Sequence, residues 1–409
     1  MKQVIAIVSL SIGITLFFPI QKNNAANFFS PSSSSQASID KNRNTQLVAR
    51  AILLQSVELN DLTNLGIDEQ LWSKPDHLQS LLQAIDRSLS YLDTPKAAQA
   101  YQNYPVPGFT LERVRRSLVR FRQLLLSANS PSQLQEAVER EFVFYQTVGI
   151  DNRGTVEFTG YYEPVFPAST VPKAEYRYPL YQKPANFDSW SQPHPTRVQL
   201  EGEDGLLGNK SILSGYEIVW LRDRLEAFLV QVQGSARLQL TDGRTMTVGY
   251  GGSTDYPYTS IGGELVKEGV FTKEELTLPK LIAYFQAHPE TLDRYISRNN
   301  RFIFLHETEG QPPMGSLGVP VTGDRSIATD KSIMPPGALA LIVAPIPYPN
   351  QAGELETRLV SRYVLDQDTG SAIKGTGRVD IFLGSGKLAG DRAGLLNGTG
   401  QLYYLLLKE

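Results

Sequence analysis

The chain contains no cysteine among its 409 residues. That absence excludes disulfides, thiol nucleophiles, thiolate metal sites and the lipid-modified cysteine of bacterial lipoproteins. Histidine is almost as scarce. The four present, His77, His194, His288 and His306, show neither His-x-x-x-His nor His-Glu-x-x-His spacing, so each reads as a surface or capping residue and no metal or cofactor is expected. An excess of positive charge is also missing: 39 Lys and Arg face 42 Asp and Glu, a formal net charge of −3, which excludes a strongly basic nucleic-acid binder. What is present is ordinary globular material, with 41% hydrophobic and 20% charged residues, enough apolar surface for a core. Gly 33 and Pro 25 imply many turns, and the length suits two or three folded units.

Lys2 precedes an apolar run from Val4 to Ile20, with Ala25 and Ala26 beyond it, so residues 1–26 have the layout of a secretory signal peptide. A run of about 17 residues also lies at the short end for a bilayer span, so an uncleaved anchor is the rival reading. Either places the body of the chain in the periplasm or cell envelope. Residues 27–46 are polar and Ser-rich and read as a disordered linker.

Two segments then carry helical spacing: Leu78, Leu81, Leu82, Ile85, Leu89 and Leu92, followed by Leu111, Val114, Leu118, Phe121, Leu124 and Leu125. Ser130-Pro131-Ser132-Gln133 predicts a capping box opening a further helix. After Gly154 short strand-like runs follow: Val156–Tyr162, Tyr178–Tyr181, Glu217–Trp220, Leu225–Val232, Ala236–Leu240 and Thr245–Tyr250. A helical interlude is predicted after a second capping box at Thr272 and Glu275, with another helix opening at Pro289. Strands resume at Phe302–Leu305, Leu339–Val343, Leu359–Leu365, Val379–Leu383 and Leu402–Leu406. The reading is mainly β with N-terminal helices.

Three acids stand among turns and strand ends near the C-terminus. Asp380 interrupts an apolar strand formed by Val379, Ile381 and Phe382. Burial would raise its pKa toward that of a neutral-pH proton donor, whereas Arg378, two residues away on the same face, would oppose the shift. From pattern alone a solvent-facing edge acid and a catalytic acid are equally good readings. Asp368, before Thr369-Gly370, commonly would tie up a turn, and Asp330, before Lys331-Ser332, would brace a loop. Asp368-Thr369-Gly370-Ser371 also matches the tetrad of pepsin-like proteases, but those need two carboxylates sharing a proton, and no second Asp-Thr-Gly or Asp-Ser-Gly occurs.

In order along the chain, Phe158-Thr159-Gly160-Tyr161-Tyr162-Glu163-Pro164, Val232-Gln233-Gly234-Ser235-Ala236-Arg237-Leu238, Val248-Gly249-Tyr250, Tyr258-Thr259-Ser260-Ile261-Gly262, Asn300-Arg301-Phe302 and the three acidic segments resemble the membrane-bound lytic murein transglycosylase A family, whose C-terminal unit is called the three-aspartate (3D) domain. The resemblance runs from about Gly154 to the C-terminus. The chain departs from the family in lacking its lipid-anchoring cysteine.

The resemblance implies a double-psi β-barrel with a second β-barrel domain inserted and a groove between them. The expected units are a helical region with the first part of the barrel at 47–165, an inserted β-barrel domain at 166–290, and the C-terminal part of the barrel at 291–409. It implies Asp380 as catalytic acid, with Asp330 and Asp368 as supporting acids. The implied substrate is the peptidoglycan glycan strand, cut between N-acetylmuramic acid and N-acetylglucosamine with a 1,6-anhydro product. A glycan groove calls for aromatic platforms and fixed donors, which makes Tyr161, Tyr162, Gln233, Ser235, Tyr250, Tyr258, Thr259 and Ser260 the candidate substrate contacts; each reads equally well as barrel scaffold. A monomer without nucleic-acid partners is expected, and association with membrane or cell-wall machinery is open. The alternative from another class is a noncatalytic, expansin-like wall-glycan binder.

Overall fold

The computed structural model describes residues 53–57, 65–273 and 275–409. The expected signal and linker lie outside the described residues. Strand β1 (Leu54–Val57) precedes four helices, α1 (Pro75–Leu92), α2 (Pro95–Gln102), α3 (Leu111–Ser127) and α4 (Pro131–Glu141), and then β2 (Phe142–Thr147) and β3 (Val156–Glu163). The two segments of helical spacing form α1 and α3, the predicted cap at Ser130 opens α4, and α2 is a helix the spacing did not mark. Ser130 accepts a hydrogen bond from the Gln133 backbone at 3.2 Å, although the Gln133 side chain reaches back to the Asn129 N–H, one residue earlier than a capping box requires.

After Pro164 the chain enters a second unit: β4 (Val165–Ser169), β5 (Tyr178–Tyr181), α5 (Arg197–Glu201), β6 (Glu217–Leu221), α6 (Arg224–Gln233), β7 (Ser235–Leu240), β8 (Thr245–Ser253), α7 (Ile261–Lys267), α8 (Leu278–Ala287), α9 (Pro289–Ile296) and β9 (Ile303–Glu307). It returns through β10 (Ser326–Ala328), β11 (Leu339–Pro349), β12 (Leu355–Asp368), β13 (Arg378–Ser385), α10 (Gly386–Leu395) and β14 (Asn397–Leu407).

Strands β14, β11, β12, β10, β13 and β3 pair in that order, and β3 pairs back onto β14, closing a six-stranded barrel with β2 and β1 added outside β14. The pairs β10–β12 and β13–β3 are parallel and the others antiparallel. Closure removes free edges and buries the inward side chains. The inserted unit orders its strands β5-β6-β4-β7-β8-β9, and a bridge between Gln182 and Leu305 brings its two ends together.

Three expectations are corrected. Leu225–Val232 is not a strand but most of α6: Asp223 Oδ1 accepts from the Leu225 and Glu226 N–H groups at 2.7 and 3.3 Å, and Gly234, at φ 75°, ends the helix. A short continuous apolar run fits either state, and here the caps decide. Thr272 and Glu275 do exchange reciprocal bonds, at 3.1 and 3.2 Å, but they close a turn, and α8 starts later with Thr277 as its cap. The inserted unit also runs past residue 290, because α9 spans that position and β9 beyond it pairs with β8 inside that sheet.

The N-terminal segment is locked to the barrel by charge. Asp68 accepts from Arg325 and Arg362, each at 2.5 Å, and from the Tyr363 N–H at 3.0 Å, all buried. Burial alone would raise the Asp68 carboxyl, but the two guanidinium groups outweigh it and hold the pKa below the ordinary carboxylate range. Asp68→Asn should leave two buried cations undercompensated and cost about 3–5 kcal/mol in urea unfolding. Because the folded pKa is depressed, the contribution of Asp68 should be complete above the ordinary carboxylate range and fade as pH falls through the folded value, so the gap between wild type and Asp68→Asn should narrow in acid unfolding curves.

Candidate active site

Strand β13 lies between β3 and β10 in the closed ring, with Asp380 opposite Thr159 on one side and Ala328 on the other. Alternation sends Val379 and Ile381 to one face and Asp380 to the other. The Asp380 residue is 6% exposed, and its Oδ1 accepts from the Thr159 hydroxyl at 2.8 Å. The solvent-facing edge reading is thereby excluded. Asp380 lines a pocket between the two units, walled by Tyr258, Asn299 and Arg301 from the insert and by Arg378 and Gly370–Ile373 from the barrel.

This pocket shares Gln231, Val232, Arg301, Ile303, Gly370 and Ser371 with an open trench. The trench is lined by Tyr161, Gln233, Ser235 and Tyr250 from the candidate set, together with Asp368 and Lys374. Tyr250, 52% exposed, offers a ring at the surface, and its hydroxyl donates to Ser253 at 3.1 Å. Gln233 Oε1 also accepts from the Tyr162 N–H at 3.2 Å, tying the end of α6 to β3.

Asp368 ends β12, one strand across from Asp380, with Ala328 of β10 paired to both. It accepts from the Tyr161 hydroxyl at 2.7 Å and from the Ser316 and Thr369 N–H groups at 2.8 Å each. Burial nevertheless prevails over these donors and pushes the Asp368 carboxyl above its ordinary pKa. The Tyr161 phenol is driven well above its own ordinary value by burial and by that carboxylate, so it is a fixed donor. Its ring packs on Phe382, two residues after Asp380, with centroids 5.1 Å apart.

Asp330 accepts from Ser332 through its N–H at 3.2 Å and its hydroxyl at 2.7 Å, and from the Gly375 N–H at 2.9 Å. Burial raises its pKa but these donors outweigh it, and the carboxyl sits below the ordinary range. It clamps the loop after β10 to the loop before β13.

Tyr162, Thr259 and Ser260 do not line the cavities. Tyr162 is 2% exposed and packs on Gly390 of α10, where even a methyl group would lie 2.8 Å from the ring. The Thr259 N–H donates to Asn299 at 3.0 Å, and the Ser260 hydroxyl caps α7 at Gly263. Both hold the walls rather than form them. Conversely, Thr159, Asn299 and the buried Asp366 were not singled out by sequence reasoning. Asp366 accepts from Lys331, Thr329 and Tyr404, and Lys331 also donates to the Asp368 carbonyl. Thr159 alone had a usable signal, since it lies two residues from Tyr161 and shares its strand face.

Residues 157–306 match the family model described as the MltA specific insert domain, and residues 325–406 match the 3D domain. Membrane-bound lytic murein transglycosylase A of Escherichia coli K12 is 32% identical over 263 residues, 64% of this chain and 68% of that protein. A solved membrane-bound lytic murein transglycosylase from Agrobacterium tumefaciens superposes with a TM-score of 0.64 at 26% identity, covering 87% of this chain and 97% of that one. Escherichia coli MltA with bound chitohexaose superposes at 0.61 and 26% identity, covering 80% and 89%.

The Tyr161 hydrogen bond favours the ionised form of Asp368, so Tyr161→Phe should raise the Asp368 pKa further. A carboxyl-carbon NMR titration comparing the two proteins should show that upward displacement; an unmoved or lowered midpoint would contradict the assignment of the bond.

Proposed function

The chain belongs to the membrane-bound lytic murein transglycosylase A family, and from that premise we propose that it cleaves peptidoglycan glycan strands between N-acetylmuramic acid and N-acetylglucosamine, with Asp380 as the one acid and base. The observation that carries the reading is the position of Asp380, a buried carboxyl in the wall of a pocket that opens into a trench between the two units. An open trench suits a polymer, and the exposed ring of Tyr250 with the amide of Gln233 and the hydroxyl of Ser235 suits a sugar face.

In the first step protonated Asp380 donates to the bridging oxygen as the C1–O bond breaks and the muramic acid ring gains oxocarbenium character. In the second, the Asp380 carboxylate takes the proton of the same sugar's C6 hydroxyl, and that oxygen bonds to C1. The proton count closes: Asp380 ends as it began, and the muramic acid end leaves as the 1,6-anhydro form. Glycosidases ordinarily need a second carboxylate, to attack the sugar or to activate water. The nearby Asp368 is held by three donors, which suits a support rather than a nucleophile. An intramolecular hydroxyl carries a high effective concentration, so one group can serve both steps. Asp330 and Asp368 set the loops around the acid.

The double-psi crossing of the barrel connections, a monomeric state and action in the periplasm or cell envelope belong to the same proposal. Among the described residues no helix is long and apolar enough to cross a membrane.

Purified protein incubated with peptidoglycan should release fragments whose mass spectra show 1,6-anhydro ends. Reducing ends would mean hydrolysis, and binding without release would favour the expansin-like alternative. Asp380→Asn should lower turnover by about a thousandfold or more, in the range expected when a general acid–base group is removed, while still sedimenting with peptidoglycan. A fully active Asp380→Asn would remove the assignment.

A further inference from the structure

Three arginines line the pocket that holds Asp380: Arg197, Arg301 and Arg378. Arg197 is fully engaged, its Nε donating to the Asn299 carbonyl at 2.9 Å, Nη1 to Glu201 at 3.2 Å, and Nη2 to Gln231 and the Arg301 carbonyl at 2.6 and 2.7 Å. Arg378 differs. Its Nη1 donates to Glu157 at 3.0 Å, whereas Nε and Nη2 are buried with no hydrogen-bond partner among the described residues.

Those two nitrogens form one edge of the guanidinium, the fork whose parallel N–H groups meet both oxygens of a carboxylate. Glu157 therefore holds the far end of the group and leaves the recognition edge unsatisfied. On the insert's side of the pocket Arg301 repeats the pattern in part: Nη1 donates to the Tyr256 carbonyl at 3.0 Å, and Nε is buried without a partner among the described residues. Buried cationic N–H groups are unfavourable unless an acceptor reaches them, and both arginines line the pocket that holds Asp380.

We propose that Arg378, with Arg301, forms a carboxylate-binding subsite beside Asp380, through which the protein favours glycan units carrying a free carboxylate over neutral N-acetylglucosamine. The inference rests on the peptidoglycan reading above and adds the chemical feature of the strand that is recognised. Two sources offer the same chemistry: the lactyl group of muramic acid once its stem peptide is removed, and the carboxylates of the stem peptide itself.

Equilibrium binding separates this proposal from the catalytic one, because strands that bind but are not cut would count against catalysis alone. Three probes are compared: peptide-stripped glycan strands, peptide-bearing strands and the neutral N-acetylglucosamine hexamer. With Asp380→Asn in every protein so that the strands stay intact, the parent should bind at least one anionic probe more tightly than the hexamer. Arg378→Gln and Arg378→Lys should each cut that margin by about ten- to a hundredfold, as expected for a charge-assisted hydrogen-bond pair, since lysine keeps a charge for Glu157 but has no fork. The probe that loses affinity identifies which carboxylate is read. Carbodiimide amidation of that probe should erase the margin in the Asp380→Asn parent, a check that leaves Arg378 untouched. A parent without a margin, a margin that survives amidation or either substitution, or equal losses on all three probes would overturn the proposal.

Discussion

The central constraint is the pairing of β13 between β3 and β10 inside a closed ring. A strand with neighbours on both edges cannot turn its carboxylate outward by slipping, because a one-residue shift would also expose Val379 and Ile381. Asp380 is thus held where water is scarce and where the adjoining β3 offers it the hydroxyl of Thr159, while Tyr161 on the same strand face donates to Asp368. The parallel pairing brings residues more than 200 positions apart into this register, and both ends of the inserted unit meet the barrel next to it.

Around that strand, buried charge does the positioning. Asp68 binds the segment before α1 to β12 and the residue preceding β10. Asp366, held by Lys331, Thr329 and Tyr404, fixes the loop after β10 to β12 and β14, and Asp330 closes that loop onto the one before β13. The three-aspartate pattern therefore covers two kinds of work. Asp380 faces the pocket, and Asp330 is spent on loop geometry, while Asp368 at the trench wall is saturated with donors. Each such pair is strongly felt when one partner is lost, which suits a site whose loops must stay in register.

Much of this was legible in residue order. Strands such as Val156–Tyr162 and Tyr178–Tyr181, the cap at Ser130 and the apolar frame of Asp380 follow from local pattern, and local pattern is what sequence carries most directly. The segment Leu225–Val232 was misread because burial on all sides erases periodicity, leaving Asp223 and Gly234 as the only cues. Tyr162 reads as an aromatic platform in a family-like segment, yet adjacent strand residues face opposite ways, and Gly390 leaves room for that ring in the core. Asp366 and Asn299 owe their roles to partners far away in the chain, and no spacing rule could bring those partners together.

The most direct measurement of the account follows the oxygen that closes on the sugar. Digestion of peptidoglycan in water enriched in oxygen-18, with mass analysis of the released muramic acid ends, should show new ends free of the label, because the attacking oxygen comes from the sugar itself. Label at C1 of those ends would mean that Asp380 activates water, and the single-carboxylate account would be contradicted.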